Sequence, residues 1–160
     1  MQLQKLLAPH VGSAAVAGGF ARDMALGFSP NDIDIAVFGP HRHDVDHHIA
    51  IGLQDLGYYQ TEQPETYGEE DVYDHITQYS HALYPDVDVL VYHGRIESII
   101  DVVKTFDFNI NQFYLEPTRH APVFLGHYYG TLIEQPNARV NTSRTSRMRD
   151  KAARAGWVCQ

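Results

Sequence analysis

The chain has 160 residues, a net charge of −8 and one cysteine, Cys159. That length suits a single domain with its own core, the lone cysteine excludes an internal disulfide, and no apolar run approaches the roughly 20 residues of a membrane helix. Charge is uneven: residues 139–160 hold six basic residues against one acid, and the rest holds six against nineteen, so an acidic body excludes a general nucleic-acid coat. The N-terminus lacks the long apolar stretch of a signal peptide, and the expected setting is a reducing cytoplasm, with no membrane and no disulfide-linked partner.

Leu3, Leu6 and Leu7 predict a short first helix that stops near Pro9. Residues 13–17 are small and apolar, as in a buried strand, and Gly18-Gly19 breaks them. Residues 20–26 read as a helix ending at Gly27, and Ser29-Pro30-Asn31 as a turn. Residues 32–38 begin with strand alternation. Val45, Ile49, Leu53 and Leu56 lie on one face of a helix over 44–56, closed by Gly57. Residues 60–71 read as an acidic loop, 72–79 as an edge strand and 87–92 as a strong strand. Ile96, Ile99, Ile100 and Val103 mark another helix. Residues 122–125 and 130–133 are expected to pair as a hairpin, and about 137–155 to form a basic helix. The organisation is one domain over 1–160, with a core over about 1–115 and a basic helical segment over about 136–160.

Chemistry concentrates in Gly18-Gly19-Phe20-Ala21-Arg22-Asp23 and Asp32-Ile33-Asp34, with Asp32 thirteen residues after Gly19. Aspartates two apart on a strand share a face. Their mutual repulsion is relieved by a divalent cation, and Mg²⁺ favours a few carboxylates completed by water and phosphate oxygens. Glycines at a strand–helix junction let the backbone approach a phosphate, which the helix N-terminus attracts. Arg22, one turn in, adds a forked donor.

These residues resemble the head domain of tRNA nucleotidyltransferases and bacterial poly(A) polymerases, in the DNA polymerase β-like superfamily. The shared pattern is Gly-Gly-x-x-Arg-Asp, about ten residues, then Asp-x-Asp. A second match, Phe106-Asp107-Phe108-Asn109-Ile110-Asn111, is similar to the Arg-Asp-Phe-Thr-Ile-Asn of those enzymes, with Phe106 in place of arginine. Phe-Asp-Phe and a basic C-terminal segment ending in Gly156-Trp157 also resemble compact phage-borne nucleotidyltransferases, which points to a bacterial or phage-infected cell. The resemblance is good over 14–38 and 105–112 and weak elsewhere.

It implies an α/β (α+β) nucleotidyltransferase fold, a mixed β-sheet with helices packed on it. It also implies transfer of a nucleoside monophosphate from ATP or CTP to an acceptor hydroxyl, with Mg²⁺ or Mn²⁺ as cofactor. The expected acceptor is an RNA or tRNA 3′ end; the alternatives are a protein or small molecule, and a catalytically idle nucleotide-binding module. Asp32 and Asp34 are the expected catalytic metal ligands. The superfamily adds a third carboxylate on a neighbouring strand, for which Asp88, flanked by valines, is favoured over Asp86 after Pro85. Nucleotide binding is expected from Gly18, Gly19, Arg22, Asn109, Arg144 and Arg147. Arg144 and Arg147 are one turn apart, near Arg149 and Lys151. Asn109 and Asn111 either read the base or ribose or only close the loop, and Asp107 caps or braces the junction with the C-terminal helix. His43 and His47 have the i, i+4 spacing of a helical metal pair, but no third ligand is evident.

Overall fold

A computed structural model describes residues 2–61, 72–136, 138 and 140–160. In chain order, α1 (Gln2–Leu7) runs into a 3₁₀ turn. Then come β1 (Ala14–Val16), α2 (Gly19–Leu26), β2 (Ile33–Val37), α3 (Arg42–Asp55), β3 (Tyr59–Gln60), β4 (Tyr73–Ser80), β5 (Val87–Tyr92) and α4 (Ile99–Lys104). After a 3₁₀ turn at Asn109–Asn111 follow β6 (Phe113–Glu116), β7 (Ala121–Phe124), β8 (Thr131–Leu132), α5 (Thr142–Arg154) and β9 (Val158–Cys159).

Five strands form one mixed sheet in the order β1-β2-β5-β4-β3, with β2 and β5 parallel at its centre. Their apolar composition follows from burial on both faces. The two-residue period separates the sides. Ile33, Ile35, Val37, Val87, Val89 and Val91 join Leu3, Leu7, Val45, Ile49 and Leu53 in the main core. Ala36, Phe38 and Tyr92 face the other way, with Leu90, against Ile96, Ile99 and Val102. Polar α3 docks through Val45, Ile49 and Leu53, each worth about 1.5–3 kcal/mol on full burial. Gly52 lets α1 approach it: an added Cβ would lie 2.1 Å from Leu6 Cδ1.

Several expectations change. β4 is interior, lying between β5 and the two-residue edge strand β3. Helix α4 begins after its Ser98 N-cap, with Ile96 buried ahead of it. The expected loop falls largely on residues 62–71, outside the described residues. The expected 122–125/130–133 hairpin does not form. β7 instead pairs antiparallel with β6, and β8 pairs parallel with β9. Glu116 drives the first choice: its carboxylate accepts N–H bonds from Thr118 at 3.2 Å and Arg119 at 2.7 Å, tightening the turn. Asn109 drives the second by binding the carbonyls of His127 and Thr131.

Candidate active site

Parallel pairing of β2 with β5 sets Asp34 opposite Asp88, on the face shared with Ala36 and Leu90. Asp32 precedes β2 by one residue and is exposed, Asp34 is partly buried, and Asp88 is buried and does not line the cleft described below. Asp86 stands just outside β5, where its carbonyl accepts the Ile33 N–H at 2.9 Å. Burial, then the charges of Asp88 and Asp32, push the Asp34 carboxyl up to about 7, against the opposing pull of Arg144 and Arg22. Three carboxylates therefore share a space that resists a third negative charge.

Gly18 makes the corner above them. Its φ of +79° is closed to most side-chain-bearing residues, and an added Cβ would lie 3.6 Å from the Phe106 ring and 3.8 Å from Asp34 Oδ2. Phe106, where the resemblance expects arginine, is thus an apolar wall against that corner. The Gly18 N–H donates to the Phe113 carbonyl at 2.8 Å and is not available to a phosphate. The open helix end begins at Gly19, and no side chain caps it. Gly18→Ala is expected to cost about 1–3 kcal/mol through backbone strain. Gly19→Ala, whose Cβ would meet Arg22 Nη2 at an ordinary 3.5 Å, should be nearly neutral. Thermal melts of the two variants check the contrast.

Arg22 is buried on α2. Its Nε donates to Asp23 Oδ1 at 2.7 Å and its Nη1 to Asn111 Oδ1. Lys151 Nζ donates to Asp23 at 3.1 Å, and Asn111 Nδ2 to Asp107 Oδ1 at 2.8 Å. Arg144 Nε donates to Asp107 Oδ2 at 2.7 Å. This chain of charges ties α2 and the 3₁₀ turn to α5. Burial alone would raise the Asp107 carboxyl. Arg144, Asn111 and the Phe108 N–H outweigh it and hold the group below its usual range.

Together these elements enclose an open cleft of about 400 Å³. One wall carries Asp32 and Asp34; the other carries Arg144, Arg147, Lys151 and Arg154 with one acid, Asp150, among them, and Gly19, Arg22 and Asp23 also line it. Asn109 is not brought to this cleft. It is buried, its Nδ2 donates to the His127 and Thr131 carbonyls, and its Oδ1 accepts the Ile133 N–H at 2.8 Å. Of its two expected roles, it closes the loop. Asn109→Ala should cost about 1–3 kcal/mol by stranding buried backbone groups, and leave nucleotide affinity within twofold in a titration. Asn31 and Arg154 also line the cleft and were not among the expected residues. The i, i+3, i+4 spacing of 144, 147, 151 and 154 was the available signal for Arg154. Arg149 is not among the lining residues.

Among the described residues, no three His, Cys, Asp or Glu side chains converge as a ready-made metal cage. The donor set suits Mg²⁺ nonetheless, because that ion is commonly held by one or two carboxylates plus substrate phosphates and water. The excess negative charge around Asp34 is the local demand for such a cation. The histidines are engaged otherwise. His43 lies 3.4 Å from Asp74 and stacks on His75, which contacts Asp46 at 2.8 Å.

No protein-family model matches the sequence, and no curated protein is similar to it at a significant level. Solved structures are similar in fold. A CCA-adding enzyme in apo form I has a TM-score of 0.62 at 16% identity, over 99% of this chain and 38% of its own. A CCA-adding enzyme in complex with CTP has a TM-score of 0.56 at 20% identity, over 82% and 32%. The Thermotoga maritima CCA-adding enzyme complexed with tRNA has a TM-score of 0.56 at 16% identity, over 84% and 31%. The chain has the nucleotidyltransferase fold of the head domain of these enzymes, and spans about a third of their length. No helix among the described residues is long and apolar enough to cross a membrane.

Proposed function

We propose that this chain transfers a nucleoside monophosphate from ATP or CTP to the 3′ hydroxyl of an RNA, tRNA being the leading acceptor, and releases pyrophosphate. The observation that carries this reading is one cleft with Asp32 and Asp34, at and just before the start of β2, on one wall and the mainly cationic face of α5 on the other. Asp32 and Asp34 are the residues to hold Mg²⁺, which Mn²⁺ can replace, and Asp88 is the third carboxylate behind them. Bound there, the metal neutralises charge on the triphosphate and the attacking oxygen.

The residues of the chain account for the rest. The helix end at Gly19, together with Arg22, faces an anion. Arg144, held by Asp107, and Arg147 lie across from Asp34 and suit the triphosphate. Attack forms a bond from the acceptor oxygen to the α-phosphorus and breaks the α–β bridging bond. Pyrophosphate leaves with that electron pair, and the acceptor proton passes to solvent or a carboxylate. Fixed charges and positioning supply the catalysis in such a scheme.

The known structures that share the fold include complexes with CTP and with tRNA, which favours a nucleotide and an RNA here. The test incubates the protein with each labelled NTP, Mg²⁺ and total tRNA, beside an Asp32→Asn/Asp34→Asn control. Label on RNA that requires both aspartates is the expected result. Label on protein would replace RNA as acceptor, and tight NTP binding without transfer would reduce the chain to a binding module.

A further inference from the structure

The cleft does not end at Asn31. It continues into an adjoining recess of about 380 Å³ lined by Gly27, Phe28, Ser29, Asn31, Lys151 and Arg154. Asn31, Lys151 and Arg154 border both spaces. Phe28 gathers the two cations: Lys151 Nζ lies 5.5 Å and the Arg154 guanidinium carbon 5.0 Å from its ring centroid. The attraction of a cation to an aromatic face keeps both long side chains ordered beside the recess. Asp23 is shared between Arg22 and Lys151. Among the described residues no carboxylate forms an ion pair with Arg154. The recess is therefore a positive pocket on an otherwise acidic body.

We propose that this recess holds a backbone phosphate of a single-stranded nucleic-acid acceptor, an inference that rests on the nucleotidyltransferase reading above. The length of the basic stripe gives room for a second anion. Arg144 and Arg154 are ten residues apart on one helix, about 15 Å along its axis. A triphosphate seated at Arg144 and Arg147 leaves the Arg154 end of the stripe to a second group. Arg144 lines the cleft with Asp34 but not the recess, and marks the nucleotide end. Arg154 marks the far end, beside Asn31, which directly precedes Asp32. A strand whose terminal hydroxyl reaches Asp32 and Asp34 has its nearer phosphodiesters close to that turn. A neutral small-molecule alcohol offers nothing for these cations to bind, and a protein hydroxyl engages them only with an acidic side chain beside it.

The test measures equilibrium binding of a short single-stranded RNA with a free 3′ hydroxyl, over a salt series, and of ATP and CTP with Mg²⁺. Wild type is compared with Arg154→Ala, Arg154→Glu and Arg154→Lys. Arg154 is exposed in the last turn of α5, and circular dichroism verifies that each variant folds. Expected for Arg154→Ala is a threefold to tenfold loss of RNA affinity, roughly, and a salt slope shallower by about 0.7, with a smaller loss of affinity for either nucleotide. Arg154→Glu should lose more, and Arg154→Lys should recover most of the affinity. Unchanged RNA affinity in Arg154→Glu overturns the proposal, as does a loss confined to ATP and CTP, which would assign the recess to the nucleotide tail. Wild type that binds nucleotide but no RNA overturns it while leaving nucleotide transfer intact. Wild type that binds neither nucleotide overturns both readings.

Discussion

Asp34→Asn is expected to reduce nucleotidyl transfer by about 10³-fold or more, and at the same time to make the metal-free protein more heat-resistant above neutral pH. The two effects have one cause. Asp34 lies beside Asp88 and near Asp32, and burial with those two charges raises its carboxyl to about 7. The native state therefore keeps a proton that the unfolded chain has released between about pH 4 and pH 7. Where the native state binds more protons, stability falls as pH rises. The metal-free wild type should thus lose stability from pH 5 to pH 8, while Asp34→Asn, which has no charge to develop, should lose less. On the proposed reading a divalent cation should reverse the order, because it would bind the ionised carboxylates of the native state only. Mg²⁺ or Mn²⁺ should raise the wild-type melting temperature at pH 8 and leave Asp34→Asn almost unmoved. Melts with chelator and with metal at both pH values, beside a transfer assay, make the check. A variant that is inactive but no more stable than wild type in chelator at pH 8 would contradict the clustered-charge account.

Arg22→Ala should be the most destabilising single change at the site, by about 3–5 kcal/mol, or roughly 6–20 °C in melting temperature for a chain of this size. The reason is what it leaves behind. Arg22 and Asp23 are 6% and 5% exposed, and the one neutralises the other in the interior. Without the guanidinium, Asp23 keeps only Lys151, and Asn111 Oδ1 loses its donor. A buried carboxylate stripped of its main partner costs more than the pair contributed. Arg22→Lys keeps the charge but cannot serve Asp23 and Asn111 together, because an ammonium lacks the planar fork. It should fall between wild type and alanine. Chemical denaturation of the three proteins orders them; equal midpoints for wild type and Arg22→Ala would show that the network bears no load.

Much of this site follows from local chain geometry, which residue order expresses directly. Asp32 and Asp34 share a face because strand side chains alternate. Gly18 occupies a positive-φ corner because the strand must turn at once into α2. Arg144 and Arg147 share a helix face because they are one turn apart.

The rest depends on which distant segment packs against which, and periodicity carries no such information. Asp88 joins Asp34 only through the parallel pairing of β2 and β5, whose connection passes through α3, β3 and β4. Asn109 and Asn111 sit two positions apart in one 3₁₀ turn and look alike as residues. Packing sends the first to the 127–133 loop and the second to Arg22 and Asp107. Residues 122–125 and 130–133 read equally well as strands, and their partners were set by Glu116, by Asn109 and by the return of the chain at Trp157. Arg154 meets Phe28 only because Lys151 and Met148 seat α5 against Asp23 and Arg22. The sequence by itself determined the aspartate pair, the glycine corner and the class of fold, since each is written within a few consecutive residues. Tertiary structure decided the placement of Asp88 opposite Asp34, the division of labour between the asparagines and the packing of the basic helix over the cleft, because those depend on contacts between residues tens of positions apart.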